Sequence, residues 1–597
     1  MGWEIVREQH RNEPGKWSRL WVYEDIYKVL TKIKGTEAIE GIVVDVTHSR
    51  DIHERGIMGL HGKSFSAMTN LRLLSISNVH LSENLEYLSS ELRIFEWNGY
   101  PLKSLPLCFH TENLFELIMC NSCIEYLWEG MKSFLKLKTI NLSHSCNLIT
   151  TPDFTGVPNL ETLDLEGCTK LREVHPSVAV LTKLTVFVLK DCRNLSSFPS
   201  DIHGLKSLKI LNLCGCLKLD KLPENIGEAE CLVELDISRT AIRQVSSSIV
   251  QLKRLDKLSL HGCNGQRPET WFTFFLSLLL PNKNPDSMCL LMPPLSGLIT
   301  LKKLNLSDCD LLHIPNDIGS LCSLEVLNLN RNNFDTLPPS INQLMKLDVL
   351  RVQSCKKLQL LPELPPAIGA LYADDCTSLE RISPPEQSTS SYTFLAFDNC
   401  FKLVESYGSH LAIMMLKLWL QIHSPGARPF ISPGARPFIF RGARPFISHG
   451  AHPFIMYLPG SKIPKWFIHK SNTPSIKIGL PPHWLNNKLM GIAFAEVFDI
   501  SDLVYCYKYD LHFDKGSLHS LFLLPHDVRK SDHVLLWFFL REQLDEASFE
   551  ISDSTYVHAK IRIKNGNPKV KSFGIHLLYK EDLEYFDRHH LEEPPQV

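Results

Sequence analysis

Gly62-Lys63-Ser64 is the first place in this chain where residue types suggest chemistry, because a glycine, a lysine and a hydroxyl together end a phosphate-binding loop. That loop needs a second glycine five positions before Gly62, and Ile57 stands there. A leucine-rich segment follows instead of a helix, so the triplet reads as a turn. Cys120 and Cys123 have the spacing of half a zinc site, but no second pair lies nearby. His589 and His590 sit in a charged tail and read as solvated. No HExxH, GxSxG or dinucleotide fingerprint occurs. The expectation is a chain with no catalytic residues, no cofactor and no metal.

The cysteines lead to the architecture. There are 17, and Cys168, Cys192, Cys216, Cys263, Cys309, Cys355 and Cys376 recur at one offset. Each lies eight positions after the first Leu of an L-x-x-L-x-L ladder. Copies begin at Leu71, Leu92, Leu114, Leu137, Leu160, Leu184, Leu208, Leu232, Leu255, Leu301, Leu324 and Leu347, with a weak one at Ile368. A step of 21–24 residues is the signature of a leucine-rich-repeat solenoid. Ladder residues such as Leu211 and Leu327 turn inward, and Asn212 and Asn328 alternate outward. A cysteine that recurs once per coil packs as a small hydrophobe. No disulfide framework is needed, which favours a reducing compartment.

Twelve or thirteen stacked strands at ~4.8 Å would make a parallel ladder roughly 55–60 Å wide on the concave side. Such a surface binds rather than catalyses. Outward residues Glu166, Lys190, Arg239, His261, Asp308, Arg331 and Gln353 occupy comparable slots on successive coils, yet differ in charge and size. They are the candidate partner-binding residues; the competing reading is a merely solvated sheet face.

The remaining chain divides by composition. Residues 1–38 are not repeats, and Ile26, Val29, Leu30 and Ile33 fall at helical spacing. A strand within 39–46 would start the solenoid, which spans 39–385. The step from Leu255 to Leu301 is doubled, so either one repeat has decayed or an island occupies 264–298. Trp271, Phe272, Phe274 and Phe275 there read as a segment buried under the loop, or else as an exposed docking island. Residues 386–456 form a linker containing a tandem octapeptide (PGARPFIS, PGARPFIF, RGARPFIS, HGAHPFIM), too rich in Gly and Pro for helix. A local duplication explains it; a repeated docking motif is the alternative. Candidate strands at 475–480, 491–498, 533–539, 559–564 and 572–579 make 457–585 a β-sandwich, with 586–597 as a tail. The fold class is therefore an α/β leucine-rich-repeat solenoid followed by a β-sandwich.

Formal net charge is −2, which gives no reason to expect nucleic acid or an anionic membrane as partner. The most apolar runs, 271–280 and 411–420, are half the ~20 residues a spanning helix needs. No signal peptide opens the chain, and a soluble intracellular protein is expected. The sequence carries no signal for an oligomeric state.

Several segments resemble one family. The opening MGWEIVREQ, EPGKWSRLW and EDIYKVL, then GTEAIEGIVVDV, are similar to the end of the nucleotide-binding region of plant intracellular resistance receptors of the TIR, nucleotide-binding, leucine-rich-repeat class. LRIFEWNGYPLKSLP, LKTINLSHSCNLITTPDF, PGSKIPKWF and VKSFGIHLLYKED resemble its repeats and its post-repeat domain, the C-JID. The resemblance implies that 1–38 is a remnant of the winged-helix end of the nucleotide-binding region. It also implies a cytoplasmic or nuclear sensor of a pathogen effector or a guarded host protein. The chain begins after the place where the family's nucleotide switch would end, so the TIR enzyme and the nucleotide pocket are expected to be absent. The alternative is an NAD-cleaving, ADP/ATP-switched receptor whose first domains are missing from the gene model. On the leading reading the purified chain binds neither ATP nor ADP and releases no nicotinamide from NAD. Calorimetry and a nicotinamide assay check this, and saturable nucleotide binding would favour the alternative.

Overall fold

The computed structural model describes residues 12–44, 58–263, 295–383, 394–407, 454–498, 507–522, 533–541, 554–563 and 570–582, with a few isolated positions missing or added. Most of the island, the tandem octapeptide up to 453, and the tail with His589 and His590 lie outside the described residues. Two compact units divide the chain, Met1–Asp310 and Leu311–Val597.

In the first unit, short strands stack in parallel and in register. Leu163 of Thr162–Asp164 lies beside Phe187, which lies beside Leu211, then Leu235, Leu258 and Leu304. All are buried, because period-two alternation sends them to one side of the strand. Strand Lys257–Ser259 pairs directly with Lys303–Asn305. The doubled step is therefore an insertion into one coil, and no decayed repeat contributes a strand between them. Leu295 and Leu298 are already buried in the coil that follows, so the repeat resumes within the stretch assigned to the island.

The opening segment is folded onto the first coils. Strand Arg19–Leu20 pairs in parallel with Gly41–Val43, which pairs with Leu73–Ser77. Helix Tyr23–Thr31 buries Ile26, Val29 and Leu30, as their spacing requires, while Ile33 stays exposed beyond its end. Ser64 Oγ donates to the Leu30 carbonyl at 2.9 Å.

In the second unit, strands Val326–Asn328, Val349–Arg351, Ala370–Tyr372 and Phe394–Ala396 continue the same pattern. The ladder thus runs past 385, with Leu395, Phe397 and Cys400 in the inward places. Strand Phe454–Pro459 then pairs in parallel with Phe394–Ala396 on one side. On its other side it pairs antiparallel with His533–Leu540. This strand begins inside the last octapeptide unit, so the linker ends earlier than its composition suggests. Leu489–Phe498, Val570–Tyr579 and His469–Ser471 complete this antiparallel sheet. A second antiparallel sheet orders Ser475–Gly479, Tyr556–Ile563, Tyr507–Phe513 and Gly516–Phe522. One apolar cluster unites the two sheets through Ile478, Leu511, Val557, Phe494, Trp537 and Phe573. Tyr372 and Phe394, outward residues of the last coils, pack against that cluster.

The recurrent cysteine is more than a small hydrophobe. Cys168 Sγ donates to the Leu142 carbonyl at 3.2 Å, in the coil before it. Cys192, Cys216, Cys355, Cys376 and Cys400 do the same to Leu165, Leu189, Leu329, Val352 and Ala373 at 3.0–3.2 Å. Where cysteine is replaced, Ser145 gives to Met119 of the coil before at 3.0 Å, while Asn332 gives to Leu329 within its own coil at 2.8 Å. The position needs a small side chain with a hydrogen to give, because the carbonyl it meets is buried.

Two outcomes follow from this packing. Leu211→Ala or Leu327→Ala loses a fully buried side chain and costs ~2–5 kcal/mol in a denaturant titration. Asn212 and Asn328 are half-buried, and their Oδ1 atoms accept the Cys214 and Asn330 amides at 3.0 and 3.1 Å. Their alanine variants therefore lose about 0.5–1.5 kcal/mol rather than nothing. Equal losses at Leu and Asn would refute the facing. Thiol labelling supplies the second outcome. Burial pushes the Cys192 and Cys309 thiols up to about 12, and raises Cys168, Cys216 and Cys355 further. Alkylation of the native chain should reach exposed Cys123, Cys146 and Cys322 and leave the ladder thiols untouched until denaturant is added.

Candidate functional face

Several coils turn out of their strand by one device. The outward Asn or Asp that ends the strand accepts the amide two residues on: Asp164 from Glu166 at 2.9 Å, Asp236 from Ser238 at 2.9 Å, Asn305 from Ser307 at 3.2 Å. The residue after that amide takes a left-handed backbone, as at Arg239, Asp308 and Arg331; Asp191 takes it too, after a strand that ends in Val188. Short polar side chains and glycine tolerate this conformation best.

The seven candidate residues therefore do not share one slot. Glu166, Lys190, His261 and Gln353 sit two positions after the strand's end. Arg239, Asp308 and Arg331 sit three positions after it, in the left-handed turn. The structure brings some of them to one another. Lys190 Nζ meets Glu166 Oε1 at 2.6 Å, and this bond raises the lysine pKa. Both side chains remain substantially solvated, so the pair adds little stability. His261 Nδ1 lies 2.9 Å from Ser307 Oγ on the next coil. Gln353 donates to Asp374 Oδ2 at 2.6 Å and receives Asn330 Nδ2 at 3.0 Å. Asp308 is half-buried. Arg239 and Arg331 are exposed and, among the described residues, make no ion pair. A Cβ on Gly262 would stand 3.2 Å from Arg239 Cγ, so glycine in the next coil lets the arginine lie alongside.

Lateral charge pairing is a general rule of the first unit that the sequence reading missed. Lys138 meets Glu161, Lys257 meets Glu234, and Lys302 meets Asp256, each at 2.8 Å. The signal was available, since opposite charges recur one coil apart. Such pairing offsets these charges, whereas Arg239, in the same unit, is exposed.

The chemistry-bearing motifs resolve into structure. Ser64 is buried with its hydroxyl committed to Leu30, and Lys63 lies 3.8 Å from Glu86, so nothing there cradles a phosphate. Cys120 Sγ bonds Asn141 Oδ1 at 3.4 Å, while Cys123 is exposed. Among the described residues no three His, Cys, Asp or Glu side chains cluster as metal ligands would. No helix among them is long and apolar enough to cross a membrane. Trp466 and Phe467 are core residues: both are buried, with ring centroids 4.1 Å apart.

The C-JID domain model matches residues 458–584. A model of the leucine-rich repeats of disease resistance proteins like RPS4B matches 180–405, and a general leucine-rich-repeat model matches 113–132. The disease resistance-like protein DSC1 of Arabidopsis thaliana is 32% identical across 83% of this chain and 44% of its own length. The TMV resistance protein N of Nicotiana glutinosa is 30% identical across 83% of this chain and 45% of its own. The disease resistance protein RPS4B of Arabidopsis thaliana is 29% identical across 82% and 38%. This chain thus spans under half the length of these relatives. Among solved structures, a leucine-rich-repeat protein of Leptospira interrogans covers 58% of this chain, and is itself covered to 86%, at TM-score 0.37 and 22% identity. By these matches the chain is a leucine-rich-repeat and C-JID protein related to the plant disease resistance proteins.

Proposed function

We propose that this chain is the sensor part of a plant immune receptor, acting in the cytoplasm or nucleus. It binds a pathogen effector or a guarded host protein through the outward face of its repeats and through its C-JID domain. Recognition, and no bond chemistry, is assigned to it. The observation that carries this reading is the contrast within each coil. Inward places are occupied by Leu, Cys and their substitutes under packing and hydrogen-bond constraints, whereas the Arg239 and Arg331 side chains are exposed, differ from their neighbours, and make no ion pair among the described residues. A face of this kind is free to vary in chemistry, as partner recognition requires. The names of the relatives, all resistance proteins, support the same reading.

The test is to co-express the chain with a library of secreted pathogen proteins and to measure affinity for any that co-purifies. Reversing Arg239 and Arg331 to Glu should weaken that binding by more than ~2 kcal/mol, with the melting temperature unchanged. Deleting the C-terminal domain is a poor control, because the last coils pack into its core. Lys477→Glu with Lys560→Glu on its exposed second sheet serves instead. Affinity lost there, and intact in the arginine variants, would move recognition from the repeats to the C-JID domain.

A further inference from the structure

The outward polar row of the second unit runs without a break into the C-terminal domain. Asn330 Nδ2 donates to Gln353 Oε1 at 3.0 Å, Gln353 Nε2 donates to Asp374 Oδ2 at 2.6 Å, and the Asp398 amide reaches Asp374 Oδ1 at 3.3 Å. Asp398 is 4% exposed. Its Oδ1 lies 3.6 Å from Nε2 of His533, which is wholly buried in strand His533–Leu540. The carboxyl groups of two successive coils therefore stand side by side where the antiparallel sheet closes over them.

The two acids are not equivalent. Burial raises the Asp374 carboxyl too, but it receives a side-chain amide and a backbone amide, which favour its ionised form. Among the described residues Asp398 Oδ1 accepts no hydrogen bond, and the His533 imidazole stands opposite it. Burial, and then the charge of Asp374, push the Asp398 carboxyl well above the ordinary aspartate range. The other ionisable groups nearby are engaged elsewhere. Asp375 Oδ2 accepts from Ser354 Oγ at 3.2 Å. Glu496, on the strand beside His533–Leu540, accepts from Trp537 Nε1 at 2.9 Å. From strand Phe454–Pro459, Tyr457 offers its backbone carbonyl to the Phe397 amide.

We propose that Asp374, Asp398 and His533 form a one-proton clamp that joins the last two coils to the C-terminal domain. Asp374 carries the negative charge. A single proton, taken from solvent and held between the Asp398 carboxyl and the His533 imidazole, lets the three groups be buried together. Without it, two desolvated carboxylates stand together beside a neutral ring, and the sheet is pushed from the coils. The native cluster holds its proton more tightly than the unfolded chain does. Its contribution to stability is therefore complete below the ordinary aspartate range and is lost as pH rises through the raised native value. Acid tightens this joint and alkali loosens it, whether the proton resides on carboxyl or imidazole.

Hydrogen exchange on the full chain tests the clamp. Opening of strands Phe454–Pro459 and His533–Leu540 is followed between about pH 5 and 9, with Thr162–Asp164 of the first unit as reference, so that the intrinsic pH dependence of exchange cancels. The opening constant of the joint should rise relative to the reference by up to about tenfold per pH unit, the slope of one proton. Asp398→Asn, which cannot ionise, should remove that slope and keep the joint protected in alkali. Asp374→Asn should make the rise level off at lower pH, because without the neighbouring charge the Asp398 carboxyl holds its proton less tightly. Parallel opening of joint and reference in the wild-type chain overturns the clamp, as does an Asp398→Asn variant that keeps the slope. Should that variant fail to fold, the wild-type slope and the Asp374→Asn profile decide the matter.

Discussion

A coil of some two dozen residues cannot bury its own inner face, so everything here depends on one coil closing on the next in register. The register is enforced twice. Inward leucines pack in rows, which sets the spacing but tolerates sliding. The side chain eight positions on then donates to a specific carbonyl of the preceding coil, as Cys192 does to Leu165. A slip by one residue would bury that carbonyl without a donor, and a buried unsatisfied carbonyl costs on the order of 1–3 kcal/mol. Apolar burial supplies the energy of the stack, and the thiol or hydroxyl supplies its alignment.

A stack built this way has ends, and each described end is closed differently. In the first unit, Arg19–Leu20 adds a parallel strand and helix Tyr23–Thr31 covers the flank. In the second, Phe454–Pro459 accepts the last coil on one edge and an antiparallel partner on the other. This strand converts a repeating ladder, which has no natural stop, into a closed domain. It also fixes what lies on the neighbouring surface, since Tyr372, Phe394 and the Gln353–Asp374 bond are drawn toward the new core. Gln353 thereby becomes part of a structural polar row.

The ladder was legible because its period is long, regular and leucine-rich. All five strands expected in the C-terminal region are present, since each is an unbroken alternating or aromatic run. What escaped notice had physical reasons. The coil at Phe394–Ala396 keeps Leu395 but has Tyr392 and Phe397 where the ladder's first and last leucines stand, so its residue types hide it. Strand Phe454–Pro459 shares its first residues with the octapeptide, whose glycines and prolines argue against any strand. Tyr507–Phe513 and Gly516–Phe522 intersperse polar residues among apolar ones (YKYDLHF, GSLHSLF). For the face, residue type was the wrong guide: the charged residue of each coil lies in either of two adjacent places, and only the backbone tells the left-handed one from its neighbour. The donor role of the cysteine could have been read from Ser145 and Asn332, which share its offset but are poor hydrophobes.

Between Ala396 and Phe454 the chain runs through 57 residues, yet its two ends lie on adjacent strands. Ends pinned in this way make the intervening length nearly neutral for the fold. Counted as chain closure alone, doubling such a segment costs only about 0.6 kcal/mol, and one more octapeptide far less. Unequal copying of a short DNA tract could therefore lengthen or shorten the array from generation to generation while both flanking strands stay paired. Selection on stability would scarcely register such changes, so copy number can drift between alleles, and the same position would accept an inserted tag or domain.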